Sequence, residues 1–183
     1  MDDLSDRAFE GERFLDDDLT EAEIRGAQFT DCAFRGVRFS AAVLSECAFV
    51  SCTFALCGFF DTRFERCKLV GSRFEGCTFG PFTVEGGNWL FCELRGADLR
   101  KCSFDGVRLR EADLSLARLQ EATLRDVDLS GATLDGADLS GADLRGSALD
   151  GIDPTTVGLR GTVVDVGQAI TLATALGVEV RAE

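Results

Sequence analysis

Ala132-Thr133-Leu134-Asp135-Gly136, Ala137-Asp138-Leu139-Ser140-Gly141 and Ala142-Asp143-Leu144-Arg145-Gly146 are three statements of one five-residue phrase. Each reads small, polar, leucine, polar, glycine. A period of five matches neither the helical period of about 3.6 nor the strand period of about 2. Reading backwards in the same phase, every residue from Leu4 to Leu149 whose number ends in 4 or 9 is large and apolar, thirty positions without exception. Phe fills twelve of these positions, eleven of them before Val84, and Leu fills eleven of the last twelve. Repetition of this fidelity predicts a solenoid, in which each unit stacks on its neighbours to share one core.

A second column confirms the register. From Ala22 to Ser147, positions ending in 2 or 7 comprise ten Ala, eight Cys, three Val, two Ser and one Thr, with Phe82 and Gly87 the only departures. A unit thus sends one large and one small side chain inward and three positions outward or into a turn. Four units closing a square coil make about twenty residues per turn, so residues twenty apart stack at the ~4.8 Å inter-strand spacing. This pattern resembles the pentapeptide-repeat family, whose consensus is A(D/N)LXX. The resemblance implies an all-β solenoid, a right-handed quadrilateral β-helix, with a short C-terminal helix. Residues 1–160 are assigned to the repeat domain and 161–183 to a C-terminal cap and dimerisation segment.

Composition narrows the function. At 45% hydrophobic residues the chain is globular, and no apolar run approaches the ~20 residues of a membrane span. The acidic start is not a signal peptide, so a cytoplasmic location is expected. Net charge is −13, with no His and no Tyr, which disfavours nucleic acid and anionic membranes and favours basic partners. Without His, and with carboxylates spread over a convex rod, no catalytic residue is assigned, and no cofactor is expected.

The cysteines invite a disulfide or zinc reading. All eight (Cys32, Cys47, Cys52, Cys57, Cys67, Cys77, Cys92 and Cys102) fall in the small inward column. Side chains stacked in parallel point the same way rather than at each other, and CxxC spacing is absent. They read as buried small hydrophobes standing in for Ala, so no metal site is assigned.

One stretch, from Gly80-Pro81-Phe82 to Gly86-Gly87-Asn88-Trp89, departs from the pattern without losing its phase, which predicts a local kink or bulge. Phe60, Leu90 and Phe91 hold outward positions nearby and are candidates for an exposed apolar patch. After Gly151 the phrase decays, with Leu159 and Val164 completing a last coil. Asp165 and Gln168 then form a capping box for a helix that Gly177 ends, and Val178 and Val180 suggest a closing strand. This helix is apolar over most of its surface, which predicts a two-fold homodimer through Val166, Ile170, Leu172, Ala173, Leu176 and Val178.

Charge is uneven along the rod. Residues 1–24 carry net −8, residues 25–104 net +2, residues 105–153 net −6 and the tail −1. The third block displays Asp105, Glu111, Asp113, Glu121, Asp126, Asp128, Asp135, Asp138, Asp143 and Asp150 at outward positions. About eight coils make a rod near 38 Å, and a dimer of net −26 near 75 Å, which is somewhat over half the linear charge density of B-DNA. Within the family the chain is most similar to the mycobacterial MfpA-type members, on its loop-free repeats, its Asp-led terminal helix and its Pro81 irregularity. Qnr quinolone-resistance proteins share the fold but insert loops. The resemblance implies a DNA-mimicking homodimer that binds DNA gyrase in place of duplex and modulates supercoiling and fluoroquinolone susceptibility. The alternative is a passive scaffold or protein-interaction module with no topoisomerase target.

Overall fold

A computed structural model describes residues 4–181. Its fifteen strands are two or three residues long, and every pairing is parallel between residues twenty apart. Four sheets result, one for each wall of a square coil. We name each wall by a central residue. The Ile24 wall pairs Glu23–Arg25, Val43–Ser45, Arg63–Glu65, Thr83–Glu85, Ser103–Asp105 and Thr123–Arg125, and bridges extend it through Asp143 to Val163. The Phe29 wall joins Ala8–Glu10, Gln28–Thr30 and Ala48–Val50, then runs by bridges through Lys68, Asn88, Arg108 and Asp128 to Ala148. The Phe34 wall holds Arg13–Leu15, Ala33–Arg35, Thr53–Ala55 and Arg73–Glu75, continuing through Glu93 and Asp113 to Thr133. The Phe39 wall pairs Gly58–Phe59 with Thr78–Phe79 between bridged residues from Asp18 to Gly158.

The residues dictate this shape in two ways. Backbone groups on such short strands find no partner within their own coil, so they bond to the coils on either side. Gln28 N–H donates back to Arg7 O (2.8 Å), while Gly26 N–H donates forward to Ser45 O (3.0 Å). The corners need a sharp turn. From Asp6 to Gly151, residues ending in 1 or 6 other than Pro81 therefore adopt left-handed φ values of about +50° to +80°, with Gly at many of them and at every one from Gly131 to Gly151.

The central column forms the core. Phe rings twenty residues apart stack face to face, as in Phe9–Phe29–Phe49 (4.9 and 4.8 Å) and Phe14–Phe34–Phe54–Phe74 (4.7, 4.9 and 4.9 Å). Rings on adjacent walls meet edge to face, as Phe29 and Phe34 do at 5.3 Å. Each such pair adds about 0.5–1.5 kcal/mol to simple burial, so the aromatic half has its own preference for this register. The column also continues past Leu149: Pro154 fills the next central place and is buried.

The small column does more than fill space. Cys47 donates its thiol to Ile24 O, Cys57 to Phe34 O and Cys92 to Leu69 O, each 23 residues back. Thr62, Ser72 and Ser147 donate hydroxyls to Phe39, Phe49 and Leu124 in the same geometry. The cysteines are therefore not only substitutes for alanine. All but Cys32, whose thiol donates to Thr30 O, donate a hydrogen bond to a carbonyl of the preceding coil, and none of the eight is in a disulfide. Burial pushes the Cys52 and Cys102 thiols up to about 12. Cys77 departs from the expectation of full burial, being only half-buried beside the irregular stretch.

That stretch is a one-residue bulge. The corner amide of Asp61 donates to Pro81 O, twenty residues on, where regular corners reach nineteen, as Ala41 does to Phe60 O. The Cys102 thiol likewise reaches Gly80 O, 22 residues back rather than 23. Pairing resumes at Thr83. Gly87 is required there: its φ is +100°, and a Cβ would collide with the Cys67 carbonyl oxygen. Trp89 lies fully buried against Phe64, Phe74 and Phe104.

Two expectations are corrected. Phe60 stands on the Phe39 wall, whereas Leu90 and Phe91 stand on the opposite Phe29 wall and its corner, so they form no single patch. Val178 and Val180 form no strand; both are about half exposed, with no neighbouring strand to pair with.

The thiols give a direct check. In native buffer a thiol reagent should modify Cys77 first and the other seven only as the coil opens; rapid labelling of most cysteines would contradict the burial described.

Candidate functional site

The acidic residues are set out by the coil itself. Asp113, Asp128, Asp138 and Asp143 each precede a central leucine, and each side chain accepts the backbone N–H two residues on. Asp113 accepts from Ser115 (2.9 Å), Asp128 from Ser130 (3.0 Å), Asp138 from Ser140 (2.9 Å) and Asp143 from Arg145 (3.2 Å). A short carboxylate suits this turn because it reaches the amide without crossing the corner. The bond with Ser130 holds the Asp128 carboxyl below its usual range, and the bond with Ser140 does the same for Asp138. Asp143 is lowered furthest, by the guanidinium of Arg145 and then that of Arg125, at 2.8 and 2.7 Å.

The ten expected residues do not form one strip. Asp105 and Asp143 lie on the Ile24 wall, Asp128 and Asp150 on the Phe29 wall, Asp113 and Asp135 on the Phe34 wall, and Asp138 on the Phe39 wall. Glu111, Glu121 and Asp126 occupy corners at left-handed φ. The basic residues, by contrast, are segregated. Beyond Arg110 and as far as Thr156, Arg118 stands on the Phe39 wall while Arg125 and Arg145 stand on the Ile24 wall. The Phe29 and Phe34 walls and the corner between them then carry Glu111, Asp113, Asp128, Asp135, Asp150 and Asp153, with no Lys or Arg. Net charge on this flank is −6; on the other two walls and the remaining corners Glu121, Asp126, Asp138 and Asp143 against three arginines give −1. Asp153 was not among the expected residues, and sorting the sequence by position within the twenty-residue coil would have included it.

The C-terminal helix and its caps are built as expected. The helix spans Val166–Ala175, Asp165 is its N-cap, and Gln168 completes a reciprocal capping box. Gly177 N–H bonds to Thr174 O and Val178 N–H to Ala173 O, with Gly177 left-handed, which is a Schellman ending. Gln168 is the helix's buried side chain. Its amide donates to Leu144 O and to Ser147 O (2.7 Å), two carbonyls of the preceding coil. One glutamine thereby caps the helix and closes the solenoid. The apolar side of the helix is left open: Val166 is 79% exposed, Ile170 44%, Leu176 54% and Val178 52%, with Leu172 and Ala173 half-buried.

Among the described residues no group of Cys, Asp or Glu converges to hold a metal, and no helix is long and apolar enough to cross a membrane.

Comparison with known proteins agrees with this geometry. The family model described as Pentapeptide repeats matches in eight copies, over residues 85–115, 92–131 and 112–153. That of the SV2A/B/C luminal domain matches residues 3–79. No curated protein matches the chain. Two solved structures of trypsin-treated QnrB1, a plasmid-mediated fluoroquinolone resistance protein, are each 25% identical. Both cover 95% of this chain and 97% of their own, with TM-scores of 0.78 and 0.75.

Replacing Gln168 by Ala leaves two coil carbonyls and the Asp165 amide without their partner. It should cost about 2–3 kcal/mol and raise hydrogen exchange over 165–177 before the rest of the rod. Unchanged exchange there would show that the helix is held by other means.

Proposed function

We propose that this chain, similar over 85–153 to pentapeptide repeats and in fold to QnrB1, is a DNA-mimicking homodimer that occupies the duplex-binding groove of DNA gyrase, modulating supercoiling and fluoroquinolone susceptibility. The observation that carries this reading is the cation-free acidic flank and its position next to the open helix. Its six carboxylates span two coil steps, about 10 Å, or one charge per ~2 Å, close to the one per ~1.7 Å of B-DNA. Pairing through the apolar helix places two such flanks on either side of a dyad and turns a short acidic segment into a longer one. The convex rod offers rigid negative charge and no base edges, so it addresses a groove that reads shape and phosphate rather than sequence. The cysteine thiols lie in the coil interior, away from this surface. The resistance function of QnrB1 points the same way.

The turn-capping role of Asp113, Asp128 and Asp138 favours a second reading, in which acidity follows from building the coil and the protein is a scaffold. Asparagine separates the two, because its amide oxygen still accepts the turn amide while the charge is lost.

In gyrase supercoiling assays the wild type should inhibit or alter drug sensitivity, more strongly at low salt. D113N/D128N/D135N should weaken that effect at least about tenfold with the fold intact. Equal potency of the variant would remove the mimicry, and no effect of wild type at micromolar concentration would favour the scaffold. Light scattering should give twice the 19.7 kDa chain mass, and Ile170→Glu should return it to the monomer. A monomeric wild type would end the dimer proposal.

A further inference from the structure

The Phe29 wall has a second, different surface further along the rod. Between Gln28 and Arg110 its outward positions carry no carboxylate, in a chain with 32 acidic residues. Val50, Val70 and Leu90 stack as three successive rungs of one outward column, and Phe91, 48% exposed, stands at the adjoining corner. Lys68 and Arg108 occupy the parallel column, joined through Asn88, and Arg110 follows Leu90. All three cations are exposed, and none makes an ion pair among the described residues. Glu46, on the preceding corner, offers little neutralisation because it is already engaged by Arg25 and Arg66, whereas Asp128, one rung beyond Arg108, faces Arg108 and Arg110 and partly offsets them, which leaves Lys68 the cation furthest from the acidic flank.

We propose that this stripe is a docking surface for an acidic, apolar segment of a partner protein, distinct from the acidic flank. Charge complementarity selects the occupant. The exposed cations reward carboxylates, and the apolar column beside them rewards large aliphatic or aromatic side chains that nucleic acid lacks. Lys68 and Arg108 are two coils apart, about 10 Å, and a polyproline II segment, with three residues per turn at about 3.1 Å each, returns to the same face after about 9 Å. The partner segment therefore carries carboxylates about three residues apart with an apolar residue between them. Because every strand of the wall is already paired on both sides, side chains alone make the contact, and no strand is added to the sheet.

The experiment is fluorescence anisotropy with a labelled peptide of repeated Glu-Leu-Pro, which puts a carboxylate at every third residue, against a Lys-Leu-Pro peptide and a short labelled DNA duplex. The wild type should bind the Glu-Leu-Pro peptide alone. K68E/R108E/R110E should weaken binding by at least about tenfold, and Phe91→Ser, at an exposed corner, should weaken it without altering the circular dichroism of the coil. D113N/D135N, which alters only the Phe34 wall, should bind as wild type, which separates this surface from the acidic flank whatever gyrase does. Absence of peptide binding, equal binding by K68E/R108E/R110E, or binding of the Lys-Leu-Pro peptide would each overturn the proposal. Duplex binding lost in that same variant would also overturn it and make the stripe a nucleic-acid contact.

Discussion

No coil of this protein can satisfy its own backbone. A wall of two or three residues is too short to hold a partner within its turn, so amides and carbonyls are met by the coils above and below. Everything else follows from that dependence. Stacking at fixed spacing brings like side chains into columns, the columns make the core, and the core holds the surface charges at set positions. It also leaves each end with unanswered groups, which is why the last coil is closed by the amide of Gln168 rather than by packing alone.

A period of five gives no reason of its own for residue 29 to sit on residue 9 rather than on a neighbour five places away. The apolar pattern is the same in either register. Two interactions distinguish them. Phe rings meet Phe rings at intervals of twenty, and the thiols and hydroxyls of the small column reach carbonyls 23 back. Beyond Phe104 the rings are gone, and corner glycines from Gly131 onward ease the turn instead. The two halves thus hold one geometry by different means, and the bulge at Pro81 lies close to the change between them.

The walls, the core and the capped helix were legible in the sequence because each depends on local spacing. The fate of the cysteines was only half legible. Their inward position follows from phase, but their role as donors depends on a carbonyl one coil away. The candidate surface was read least well. Counting charge along the chain gave an acidic block, whereas the structure divides the part of it beyond Arg110 into a flank without cations and a nearly neutral remainder, and it adds Asp153. It also separates Phe60, on the Phe39 wall, from Leu90 and Phe91, on the opposite wall and its corner. Val178 and Val180 had the alternation of a strand and no edge to join.

Four walls and a five-residue unit give every surface residue an address with two coordinates, height and angle. Inserting or deleting twenty residues would slide everything downstream by one rung, about 4.8 Å, and leave its compass direction unchanged. A change of five residues would turn everything downstream by a quarter rotation while every interior contact type stayed the same. The repeat is therefore a positioning scale as well as a fold. Gene rearrangement in units of the repeat can re-aim the acidic flank relative to the terminal helix without designing a new core, so families built this way can explore partner geometry while their interiors remain unaltered.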